Sequence, residues 1–208
     1  MILTPVAPDR LRRALAGFGA ALAHDEARRI FQRLIEPRHA ARARRSAAKA
    51  HQRAALRLAR RLGLGLRPGS PRRGVSWDGR ALSTDTEAYV LLHEVAHFQL
   101  AAPARRRRID FGLGPGPETG DRAAAERAAR LSLLAREREE AMTSLLGILW
   151  EGALGQPALA SFLDQNWLEG AAPARHFETI LARLRAGGYV TAAGRPTCRR
   201  RRSPDPPG

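Results

Sequence analysis

Thr84-Asp85-Thr86-Glu87-Ala88-Tyr89-Val90-Leu91-Leu92-His93-Glu94-Val95-Ala96-His97-Phe98-Gln99-Leu100-Ala101-Ala102 is a largely apolar stretch with two imidazoles and a carboxylate set into its middle. Thr84 followed three residues later by Glu87 has the spacing of a capping box, so a helix is expected to start there and to end before Pro103. On a helix, residues four apart lie one above the other. His93 and His97 can therefore aim both rings at one point, the spacing of a chelating pair. Glu94, one residue round, is placed to take or give a proton at a metal-bound water and is the candidate catalytic residue.

Two imidazoles hold a catalytic metal weakly, so a third protein ligand is needed. Glu137, Glu139 and Glu140 supply carboxylates on the next long helix, and periodicity does not choose among them: Glu137 lies nearer the stripe of Leu134, Ala141, Leu145 and Ile148 than Glu140 does. Cys198 is the single cysteine, so neither an internal disulfide nor a thiolate zinc site can form.

Outward from this segment, the chain reads as mainly α (α+β): a helical single domain with a small β element, similar to zincin-like scaffolds. Apolar residues recur at helical spacing from Asp9 to Leu34, an Ala- and Arg-rich helix is expected over Ala40 to Leu62, and Leu66 to Pro71 breaks the pattern by its density of Pro and Gly. Val75 to Leu82 reads as a hairpin turning at Asp78-Gly79. After a Gly- and Pro-rich loop at Gly112 to Gly120, one long helix is expected from Asp121 to about Trp150, and a last one from Pro173 to Ala186, stopped by Gly187-Gly188. Residues 1–193 are expected to form the enzymatic domain, with 1–75 a helical N-terminal part and 76–193 the metal-site core. The basic segment 194–208 is expected to be a disordered tail.

The formal charge is +16, which on its own suggests phosphate partners. Lys49, however, is the only lysine among the 36 basic residues, and aromatics make up 5%, too few for base-stacking platforms. Nucleic acid is therefore not the favoured partner, and an acidic protein fits the same charge. No long apolar run reads as a membrane span, and Met1 to Arg10 lacks the unbroken apolar core of a secretory segment, so a cytoplasmic location is expected.

From His93 onward the chain resembles the elongation factor P hydroxylase family. The resemblance is carried by His93-Glu94-x-x-His97 with Phe98, Ala104-Arg105-Arg106, Asp110-Phe111-Gly112, Glu137 and Glu140, Gly155-x-Pro157, and Asn166 with Leu168-Glu169-Gly170. It implies hydroxylation of a modified lysine on that acidic translation factor, iron as the divalent metal, and Glu140 as third ligand beside His93 and His97. Within this pattern Asp110 is expected to accept the free ring N–H of a ligating histidine. Arg105 and Arg106 belong to a basic run, Arg105 to Arg108, that either faces solvent or steers the acidic partner. Glu137 is expected beside the site. Two histidines with one carboxylate also describe a zinc metallopeptidase in which Glu94 is the general base, and a basic RNA- or ribosome-binding protein with a structural metal is a third alternative. His176, beside Phe177, reads as a packing or surface residue.

Overall fold

Leu91, Leu92, Val95 and Ala96 are fully buried on the helix that carries the two histidines, and burial of a leucine side chain is worth roughly 1.5–3 kcal/mol. In the computed structural model, which describes residues 8–36, 45–71, 74–116 and 119–202, this helix is the centre of a mainly helical single domain. Its elements are α1 (Pro8–Ala21), α2 (Asp25–Leu34), α3 (Arg45–Arg61), β1 (Gly65–Arg67), β2 (Ala81–Ser83), α4 (Ala88–Leu100), α5 (Arg122–Ala128), α6 (Leu133–Ala153), α7 (Ala158–Asp164) and α8 (Pro173–Ala186). Among the described residues no helix is long and apolar enough to cross a membrane.

The histidine-bearing helix starts later than its capping box suggests. Glu87 is the N-cap, with no side-chain cap bond. The Thr84 and Asp85 amides instead donate to Arg67 and Gly69 carbonyls, so the backbone of the expected box is committed to a neighbouring strand. That strand, β1, lies at the edge of the stretch expected to be irregular and pairs in parallel with β2. The hairpin expectation holds at its turn: Trp77 and Leu82 form an antiparallel bridge, the Asp78 carboxylate accepts from the Arg80 and Ala81 amides, and Gly79 has φ 92° where its backbone approaches the Arg107 carbonyl.

The single long helix expected after the Gly- and Pro-rich loop is two helices. Ala129 leaves helical geometry, and Ser132 restarts the chain as N-cap of α6, its hydroxyl accepting from the Ala135 amide. The α6 helix packs along α4, with a tight approach at Gly147, where a Cβ would stand 3.4 Å from the His93 Cα. The helices around this pair close over an aromatic cluster of Phe18, Phe31, Phe162, Trp167 and Phe177.

Residues 194–202, expected to be part of a disordered tail, lie against the body. Fully buried Gln99 donates to the Thr197 and Arg199 carbonyls and accepts from Trp150 Nε1 at 2.8 Å, while the Arg201 amide returns a bond to the Gln99 carbonyl. Residues 1–7, 40–44, 117–118 and 203–208, parts of the expected N-terminus, helix, loop and tail, lie outside the described residues.

Candidate metal centre

One turn of α4 separates His93 from His97, and their Nε2 atoms are 3.1 Å apart. Glu140, in the second turn of α6, brings Oε2 to 3.4 Å from His97 Nε2 and 3.6 Å from His93 Nε2. Three donors held tetrahedrally by one ion at about 2.0–2.2 Å stand about 3.3–3.6 Å apart, so the triangle has the dimensions of a metal site. His93, His97 and Glu140 thus form a group that can hold a metal ion.

The Glu140 carboxylate and the His97 imidazole respond to one another. Burial opposes ionisation of Glu140, but the fields and hydrogen bonds of His97 and His93 outweigh it and hold this carboxyl well below the usual range. Burial likewise opposes a charge on His97, and Glu140 overcomes it, with smaller help from Glu94 and Glu139, raising the ring to about 9. A cation at this point, proton or metal, is what three surrounding carboxylates favour.

Glu94 lies beside His93 and His97 in a cleft of about 440 Å³. Burial raises its pKa, against the histidines, and a hydrogen bond with Ser76 keeps part of its anionic character. Asp110 lines the same cleft and is raised to about 7 by burial, with Glu94 and Glu140 adding to the shift. Its expected role on a histidine is filled by another residue: His97 Nδ1 is 3.1 Å from the hydroxyl of buried Thr143, one turn beyond Glu139 and Glu140 on α6.

The two arginines do not form a steering surface. Arg105 is 2% exposed, pairs with Glu139 and donates to the Phe111 carbonyl, because a buried guanidinium needs a carboxylate and carbonyls to replace water. Arg106 donates to the Phe98 and Arg201 carbonyls and lies 4.8 Å over the Phe98 ring. Glu137 is exposed and is not among the three residues of the ligand group. Exposed His176 stacks on Trp167, as a surface residue would.

Sequence reasoning missed Thr143, Ser76 and the structural part played by Glu139, whose Oε1 is 4.0 Å from His97 Nδ1. It also missed an aromatic stack that clamps the ligand ring. Trp77 stacks on Phe111 at 5.2 Å, and Phe111 stacks on His97 at 5.6 Å. Phe111 is presented by three successive left-handed residues, Asp110, Phe111 and Gly112, of which only the glycine takes that conformation freely. A signal for Thr143 was present, because residue 143 is three positions after 140 and so shares its face.

No protein-family model, curated protein or solved structure matches the chain. What its own residues establish is a metal-capable His93, His97 and Glu140 group, with an acid, Glu94, in the adjoining cleft.

Proposed function

We propose that this protein is a metal-dependent oxygenase that hydroxylates a lysine-derived side chain of an acidic translation factor, elongation factor P or a related protein, in the manner of the family its C-terminal half resembles. The observation that carries it is the convergence of His93, His97 and Glu140, the 2-His-1-carboxylate set that the resemblance implies. A divalent metal, iron in this reading, would supply the activation of dioxygen. Thr143, Glu139 and Phe111 fix the His97 ring, leaving Nε2 directed at the ligand position. Glu94, held by Ser76, and Asp110 keep exchangeable protons beside the ligands, where a substrate entering the cleft meets them.

The test is mass spectrometry of elongation factor P carrying its modified lysine, incubated aerobically with the iron-loaded protein. One added oxygen on that residue is expected; none would remove the substrate assignment. A second reading, zinc metallopeptidase, is favoured by the position of Glu94, whose carboxylate can take a proton from an attacking water. Stoichiometric zinc with cleavage of a peptide library, lost in Glu94→Gln, would select it.

A further inference from the structure

Away from the ligand group, α3, α7, the start of α4 and the end of α6 enclose a second cleft of about 540 Å³, within the size range of small-molecule sites. Glu151 lines it while being only 2% exposed. Among the described residues its side-chain partner is neutral: Ser161 Oγ donates to Oε2 at 2.8 Å. A carboxyl removed from water is expected to be paired with a cation or to hold its proton. In a chain with 36 arginines and lysines, the charge that acts on Glu151 is instead Asp164, of the same sign, and burial drives its pKa up to about 8. Lys49 and His51 from α3 also line the cleft, yet neither forms an ion pair with Glu151 among the described residues.

The rest of the lining suits a cationic ligand. Asp85, Glu87, Glu151 and Asp164 line the cleft against the single Lys49, so acidic side chains prevail here in a chain that as a whole is strongly positive. Tyr89 is half exposed and offers an aromatic face, while Pro157 and Ala160 offer apolar surface for a stem.

We propose that this cleft binds an organic cation, an ammonium or guanidinium group on a short apolar stem, with Glu151 as its paired anion. Binding releases the Glu151 proton and leaves a carboxylate facing the ligand. The cation comes either from a free small amine or from a basic protein side chain, and both present the same chemistry to Glu151. The site is independent of the metal centre.

The test is calorimetric titration of the full chain with agmatine and, separately, with a blocked Gly-Arg-Gly tripeptide, each in two buffers of different ionisation enthalpy. Binding to the wild type with a buffer-dependent heat is expected, weakened at least about tenfold by Glu151→Gln. Tighter binding of agmatine assigns a free amine; tighter binding of the tripeptide assigns a protein side chain. Absence of binding by either, or equal affinity in wild type and Glu151→Gln, overturns the proposal. Should Glu151→Gln fail to fold, Tyr89→Leu at the exposed position carries the test: a severalfold loss supports the site and unchanged affinity sinks it.

Discussion

Thr143 Oγ1 lies 3.1 Å from His97 Nδ1, on the side of the ring opposite the Nε2 that meets His93 and Glu140. When Nδ1–H donates to that hydroxyl, the Nε2 lone pair is left free, which is the form a metal needs. Thr143→Val keeps the shape and removes the hydroxyl. A fall of about tenfold to a hundredfold in metal affinity is expected, with Thr143→Ser near wild type, measured by competition against a chromophoric chelator.

Among the four glutamates of α6, Glu137, Glu139, Glu140 and Glu151, only Glu140 joins the two histidines in the ligand group. Glu140→Gln is expected to lose metal affinity by more than about a hundredfold, beyond the loss from a supporting residue. Glu137→Ala is expected to leave metal binding unchanged and stability within about 0.5 kcal/mol, as for an exposed side chain. Equal effects of the two would contradict the ligand assignment.

Removing the guanidinium from the buried Arg105–Glu139 pair strands a carboxylate beside His97. Arg105→Met should therefore cost about 3–5 kcal/mol in urea unfolding, and the double variant Arg105→Met with Glu139→Met should recover much of it. Two independent, additive losses would show that the pair is not coupled.

Glu151 has a folded pKa raised to about 8 from an ordinary 4.5. The folded chain therefore binds this proton more tightly than the unfolded one, a contribution fully present below about pH 4.5 and lost as pH rises toward 8. Without added cation, Glu151→Gln should flatten the fall in melting temperature between pH 5 and 8 relative to wild type, read by differential scanning fluorimetry (about 3 pH units). An identical slope in both proteins would mean Glu151 is ionised in the fold.

Gln99 ties the C-terminal segment to α4 through two carbonyls and to α6 through Trp150. Gln99→Leu leaves these groups unpaired. A loss of about 2–4 kcal/mol is expected, with limited proteolysis cutting near Thr197 well before the wild type is cut.

What was legible in the sequence follows from how local each cause is. The two histidines converge because four-residue spacing on a helix is enforced by the backbone, and α8 begins at Pro173 and ends at Ala186 because Pro and Gly act within one turn. Glu140 needed the family resemblance, since the choice among three acids depends on how α6 is rotated against α4. Ser132 was readable as a cap, but the continuous alanine and arginine pattern around it masked the break. β1 was hidden because pairing with residues 81–83 is a long-range event that Gly and Pro nearby do not forbid.

The charge was the least readable feature. Arg28, Arg33, Arg105, Arg106, Arg136 and Arg200 all donate to backbone carbonyls, so part of the positive composition serves to close loops and chain ends. Composition counts these groups as surface charge, and only the fold separates the two uses.

The glycine at 147 has a further consequence. Because even a Cβ at 147 would meet the Cα and backbone nitrogen of His93, the approach of the helix bearing Glu140 to the helix bearing both histidines is limited there by peptide backbone. Repacking elsewhere along this seam can soften the domain while the aperture between the three donors keeps its width, whereas a branched side chain at 147 acts as a wedge driven directly under His93.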